Sequence, residues 1–295
     1  MFGILNINKP AGCTSFDVVA KLRRILKIKQ IGHTGTLDPI ATGVLPICLG
    51  KATKLIQYFE DSSKAYRAYA KLGLRTDTYD REGVILEENE VVLDIEKIKE
   101  TLKTFQGEIT QTPPMHSAVH YKGKRLYEYA RNNIEIEDIP KRQVTVNSID
   151  FVEIQEANSK NPILVFDVDC SSGTYIRSII NDMGNLLGYG AMMDGLIRTR
   201  AGAFSITDSC TIDNIEVIFQ NNSLNDILTN PRSFLKFQDV IITDEELQRV
   251  KNGNYFFVQQ EKFVENEIVK IVYNEELVGI GSYRDNKIQP KNIFI

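Results

Sequence analysis

The chain has 295 residues, 42% apolar and 25% charged, the balance of an ordinary globular protein with room for one large domain and one small one. No stretch approaches the roughly 20 consecutive apolar residues of a membrane helix, and residues 2–7 followed by Lys9-Pro10 lack the layout of a secretory leader, so the expected location is cytoplasmic. A net charge of −4 excludes a uniformly basic nucleic-acid binder, yet residues 1–60 hold eight Lys and Arg against three Asp and Glu while residues 205–295 hold nine against fourteen, so a phosphate-binding surface has to be local and built largely from the first part.

Residues 3–8 alternate as a short strand. Ser15 caps a helix running to about residue 29, with Val18, Val19, Leu22, Ile25 and Leu26 as its apolar stripe and Asp17 at the positive end of its dipole. Its Lys21, Arg23, Arg24, Lys27 and Lys29 read as a solvated face or as part of a phosphate-binding surface. The segment from Gly32 to Pro46 is crowded with Gly, Thr and Pro, which suits neither the middle of a helix nor a central strand. Residues 51–59 look helical, 65–72 alternate like a strand, and 94–105 form an amphipathic helix through Ile95, Ile98, Leu102 and Phe105. Residues 144–154 and 163–170 read as long strands around a polar turn, and 174–187 as a helix. Strands and helices interleave without a regular βαβ period, which predicts an α+β fold with a mixed, largely antiparallel central sheet. Beyond Phe204 the polar run 220–223 and the Asn230-Pro231 break lead to short apolar runs at 255–258, 268–273, 277–283 and 288–295, a small β-rich module. The expected division is 1–235 and 236–295.

Chemistry is concentrated around Asp38. Pro39 restricts its backbone and glycines flank its segment, so this carboxylate is expected on a fixed loop, either as a reactive acid or as the start of an Asx-turn. Cys13, Cys48, Cys170 and Cys210 are widely spaced and suggest neither a zinc site nor a disulfide framework. His116 and His120 are four residues apart, but Pro113-Pro114 precede them and no partner acid is evident, so no metal is expected. Phosphate-loop and dinucleotide fingerprints are missing.

The segment Gly32-His33-Thr34-Gly35-Thr36-Leu37-Asp38-Pro39 through Pro46 resembles the signature of the bacterial tRNA pseudouridine synthase B family. Asn8-Lys9-Pro10-Ala11-Gly12, Lys64-Ala65-Tyr66-Arg67, Thr76-Asp77-Thr78-Tyr79-Asp80, Gln111-Thr112-Pro113-Pro114-Met115, Ser172-Gly173-Thr174-Tyr175-Ile176-Arg177 and Leu196-Ile197-Arg198-Thr199-Arg200 follow in the family's order across residues 3–204. The resemblance implies isomerisation of the T-loop uridine of tRNA, position 55, to pseudouridine. The N-glycosidic bond breaks and the base, flipped out of the RNA, rejoins through C5. It implies Asp38 as the catalytic residue and Lys9, His33, Tyr66, Tyr175, Arg177 and Leu196 as substrate-binding residues. Lys9 is read as supporting the loop or a phosphate. His33 is read as entering the T-loop, Tyr66 as stacking on uracil, and Arg177 as keeping Asp38 ionised. A PUA-like RNA-binding domain at the end of the chain, a monomer without an obligate protein partner and a cofactor-free reaction are implied as well. The alternatives are an RNA-folding chaperone, alone or beside catalysis, and the relative that works inside a guide-RNA particle. The intact Asp38, Tyr66 and Arg177 set disfavours a dead enzyme, and the lack of long basic extensions disfavours the particle.

Overall fold

In the computed structural model, which describes residues 1–59, 63–132, 134, 136, 138–258 and 263–295, the first half of the chain supplies β1 (Gly3–Lys9), α1 (Ser15–Leu26), β2 (Ile31–His33), β3 (Thr42–Leu49), a 3-10 helix (Gly50–Tyr58), β4 (Lys64–Leu72), β5 (Leu74–Thr76), β6 (Ile85–Glu88), α2 (Ile95–Lys103), β7 (Gly107–Gln111), β8 (His120–Tyr121), β9 (Lys124–Arg125) and α3 (Leu126–Arg131). The second half adds β10 (Arg142–Gln155), β11 (Ile163–Cys170), α4 (Ile176–Leu187), β12 (Ala191–Ala201), β13 (Phe204–Ser205), α5 (Ile212–Gln220) and α6 (Leu224–Ile227). It closes with β14 (Gln238–Ile241), α7 (Asp244–Lys251), β15 (Phe256–Phe257), β16 (Ile268–Tyr273), β17 (Glu276–Arg284) and β18 (Lys287–Ile293). The fold is α+β. A nine-stranded sheet runs β1-β3-β12-β4-β11-β10-β7, with β2 beside β3 and β13 beside β12. All its pairings are antiparallel except β12 with β3.

Burial on both faces explains the continuous apolar runs of the first strands. Leu5, Ile7, Leu45 and Ile47 point into a core shared with Val18 and Leu22 of α1, Leu102 of α2, Ile179 and Met183 of α4 and Ile215 of α5. Their neighbours Ile4, Val44 and Cys48 point to the other face, where Leu235, Leu277, Ile280 and Phe294 cover them. The chain's last part forms its own five-stranded sheet, β14-β16-β17-β18-β15, around Val250, Phe256, Val269 and Ile288.

Three local expectations need correction. Helix α1 is capped by Thr14, not Ser15, in a capping box with Asp17, and ends at Leu26, where Lys27 takes a left-handed turn (φ 54°). Ser15 is diverted because its hydroxyl bonds Leu37 N (2.9 Å). Residues 50–58 form a 3-10 helix. Most consequentially, residues 42–49 are a central strand despite Pro46. The Pro46 carbonyl accepts from Thr34 N (3.1 Å) on the β2 side. The N and C=O of a strand residue point the same way, so the missing donor faces that edge and the ladder to β1 loses nothing.

Strand β12 joins β3 over only two residue pairs, Ile197 with Thr42 and Arg198 with Gly43. Gly43 has φ +99°, and a Cβ there would lie 2.3 Å from the Arg198 carbonyl oxygen. Gly43→Ala is therefore expected to lower stability by at least about 2 kcal/mol in chemical denaturation, because both the backbone angle and the strand approach resist a side chain.

Candidate active site

The loop carrying Asp38 is pinned from beneath by two buried cations. Lys9 is wholly buried, and its Nζ donates to the carbonyls of Pro10 (2.9 Å), Pro39 (3.2 Å) and Ala41 (2.7 Å). Arg198 is equally buried and donates to Val44 O (2.7 Å), Thr36 O (3.3 Å) and Gly35 O (3.2 Å). Gly12 N reaches Pro39 O (3.0 Å), and Ala41 N closes a turn onto Asp38 O (3.1 Å). Leu37 and Ile40 anchor both sides of the turn in the core. The Asx-turn alternative of the sequence is thus a backbone turn, and the Asp38 carboxylate is left free to face outward, 36% exposed.

That carboxylate meets Arg177 at the first turn of α4. Arg177 Nε lies 3.2 Å from Asp38 Oδ2, and Nη2 donates to Oδ1 at 3.4 Å. The guanidinium is 6% exposed and shares its remaining protons with Asp80 Oδ2 (3.2 Å), Thr78 O (3.2 Å) and His116 O (2.9 Å). Asp80 is itself buried, and its Oδ1 accepts from Thr78 Oγ1 (2.7 Å) and Glu82 N (3.1 Å). One cation therefore serves two carboxylates. Burial pushes the Asp38 carboxyl above its ordinary value and Asp80 adds to this, while Arg177 and then Lys9 pull it back.

Tyr66 on β4 lies opposite Arg198 of β12 in register, buried on the helix-covered face. Burial pushes its phenol up, and the Arg198 guanidinium draws it down. Leu196, two residues before Arg198 and on the same face, is buried opposite Ala68. Tyr175 caps α4, and its backbone is bracketed by Gln111, which accepts from Tyr175 N (3.0 Å) and donates to Tyr175 O (3.1 Å). His33 ends β2, half-buried, with Nδ1 unpartnered; burial and then Arg198 lower its pKa.

The structure thus pairs Asp38 with Arg177 directly, brings Tyr66 near enough to feel the Asp38 charge, sets Leu196 on the same face through β12, and leaves Tyr175 two residues before Arg177 at the start of α4. Of the two roles open to Lys9, its geometry is that of a loop support, since all three ammonium protons are spent on backbone carbonyls. His116 contributes its carbonyl to Arg177, and among the described residues no three His, Cys, Asp or Glu side chains converge as metal ligands. Asp80, Arg198 and Gln111 stood in the sequence only as parts of longer motifs. The available signal was an arginine at an inward-facing position of a strand, two residues from Leu196, where only a paired charge is tolerated.

Comparison with known proteins places these residues in a family setting. The family model described as TruB family pseudouridylate synthase (N terminal domain) matches residues 23–176, and that of the tRNA pseudouridylate synthase B C-terminal domain matches 177–235. The chain is 43% identical over 300 residues to tRNA pseudouridine synthase B of Clostridium kluyveri, covering 100% of both chains. It is 43% identical over 298 residues to that of Heliobacterium mobile, covering 99% of this chain and 94% of the other. Among solved structures it resembles a chain of an H/ACA RNP bound to a substrate RNA containing 2'-deoxyuridine (26% identity, TM-score 0.73). That match covers 100% of this chain and 85% of the other. It also resembles one from a Cbf5-Nop10-Gar1 complex (27% identity, TM-score 0.71), with the same coverage.

Removing Arg177 leaves burial and Asp80 both pushing the Asp38 proton on. An acid limb of turnover set by an ionised Asp38 lies at the pH where that carboxyl takes its proton. In Arg177→Met the limb is expected to move to higher pH, with at least about a 100-fold rate loss near neutrality. Initial rates of pseudouridine formation across about pH 5.5–8.5 check this.

Proposed function

The chain belongs to the TruB family of pseudouridylate synthases and isomerises uridine to pseudouridine in tRNA, and we propose that its target is the T-loop uridine at position 55 and that Asp38 is the catalytic residue. The observation that carries this reading is the pairing of an outward-facing carboxylate on a pinned loop with a buried guanidinium. Such a carboxylate is presented to a base that comes to it rather than to one inside a helix.

The isomerisation conserves atoms and electrons. The bond from the ribose C1' to N1 breaks, C1' joins C5, and the C5 proton is replaced by one on N1. An ionised carboxylate supplies what this sequence needs, a nucleophile or a proton acceptor. Arg177 favours the charged form against the burial that opposes it. Tyr66, kept protonated by its surroundings, offers a flat ring to the uracil and a hydroxyl for proton movement. Tyr175 and Leu196 complete the walls. Extruding the base costs a few kcal/mol of unstacking, and His33, on the strand that leads into the loop, fills the vacated space. Lys9 acts on the RNA only through the loop it supports.

Residues 1–235 form the catalytic domain in this reading, and 236–295 a PUA-like RNA-binding domain. The enzyme works as a cytoplasmic monomer, without a protein partner or cofactor, where its tRNA substrate resides.

Purified protein is expected to convert a single uridine in a T-stem-loop transcript with nothing added, and Asp38→Asn to abolish product while still binding the RNA. Full activity in Asp38→Asn, read by mass shift after chemical labelling of pseudouridine, overturns the assignment.

A further inference from the structure

An aromatic and cationic cluster stands on the far sheet, away from the groups used above. Phe257 of β15 is 62% exposed and is the cross-strand partner of Lys287 on β18. Tyr255, 41% exposed, packs edge-on against it at 5.6 Å between centroids and 90° between planes. Lys287 Nζ lies over both rings, 4.7 Å from the Tyr255 centroid and 5.5 Å from that of Phe257. The adjacent Phe256 is the residue that fills the core, so the two exposed rings are not needed for packing. Strand β15 is the edge of its sheet.

The strand behind this cluster leads back to the catalytic face through direct contacts. Exposed Gln289 and Lys291 follow Lys287 along β18. Lys54 of the 3-10 helix donates to Ile293 O at its end (3.4 Å), and Tyr58 bonds Asn292 (3.1 Å). The same 3-10 helix holds β2, through Gln30 to Thr53 (2.8 Å) and Gly50 N to Gln30 O (2.8 Å). β2 ends at His33. Among the described residues, Lys54, Lys287 and Lys291 make no ion pair with a carboxylate. The nearby Glu265 and Asp285 lie instead against Arg284, at 3.9 and 3.7 Å.

We propose that Tyr255, Phe257 and Lys287 form a second RNA-contact site, which stacks an unpaired base of the substrate outside the T-arm, with Lys291 and Lys54 meeting the phosphates between it and the catalytic face. This rests on the reading of the chain as a T-loop enzyme. Exposed rings with a cation beside them are the elements that bind unpaired nucleotides without sequence preference. These lysines, unpaired with carboxylates among the described residues, select a polyanion over a neutral protein surface as the occupant, even though the module as a whole is acidic.

The test compares affinities of the full chain for a complete tRNA transcript and for the isolated T-stem-loop, by fluorescence anisotropy at several salt concentrations. The unaltered protein is expected to bind the complete tRNA more tightly. The double variant Tyr255→Ala, Phe257→Ala is expected to lose at least about tenfold in affinity for the complete tRNA, and to bind the stem-loop as before. Lys291→Gln is expected to reduce the salt slope for the complete tRNA by about one. Circular dichroism and thermal melting confirm that both variants are folded. Equal loss on both RNAs, or unchanged affinity for the complete tRNA in the folded double variant, overturns the proposal. Conversion of the stem-loop by the unaltered chain is read separately, so failure of the T-loop reading is distinguishable from failure of this site.

Discussion

Sharing of the buried Arg177 cation between Asp38 and Asp80 is the interaction on which the site depends. Burial on its own favours the protonated form of Asp38. A lone pair of Asp38 and Arg177 would be satisfied, but the arginine would be free to follow the acid. Asp80, fixed by Thr78 and by the backbone of Glu82, holds the guanidinium from the other side. The cation is then anchored in protein while its other edge faces Asp38. The cost is that Asp80 repels Asp38, so the arrangement trades some acidity for position. Truncating Arg177 leaves two carboxylates without their cation, which is the expensive way to break such a group, whereas truncating either acid leaves a neutral pair.

The same logic holds the loop. Lys9 and Arg198 spend their protons on backbone carbonyls rather than on acids, six contacts between them. Carbonyl oxygens in a turn have few other partners, and leaving them bare inside the protein is costly. Pinning by main-chain atoms leaves the Asp38 side chain out of the loop's own bonding, with the Arg177 guanidinium as its partner. A reacting group held by backbone loses little freedom when substrate arrives, and positioning of this kind is worth a large part of a barrier.

How much of this was legible follows from what each feature depends on. Strand β4 and helices α2 and α4 came from periodicity, because each has one apolar face, and β10 and β11 from their long β-branched and apolar runs around a polar turn. Strand β3 did not. Gly43 and Pro46 argue against a strand when read locally, and only the register with β1 and the divergence of the neighbouring edge make room for them. Arg177 was nameable through its motif and its charge. Asp80 was not, since nothing in the run Thr76 to Asp80 says which of its two acids turns inward. That choice is made by the turn around Tyr79, whose φ is 64°, and by the helix that brings Arg177 there. Lys9 was ambiguous because a lysine's partners, when they are carbonyls thirty residues away, leave no spacing to read.

The junction between the two family matches, at residues 176 and 177, falls inside the first turn of α4 and does not divide the fold. Everything before it includes Asp38 and Tyr66. Everything after it includes Arg177, Leu196 and Arg198. Strand β12 is the only described connection between β3 and β4, so without it the sheet separates into β1-β3 and β4-β11-β10-β7. Asp38 would then stand on one part of the sheet and Tyr66 on the other. The two-residue parallel join at Gly43 and Arg198 is where these halves meet, and it is also where Arg198 grips the loop that carries Asp38. The same two-residue join thus closes the sheet and brings Arg198 onto the loop, and Gly43, near the start of β3, is what lets the Arg198 backbone approach so closely.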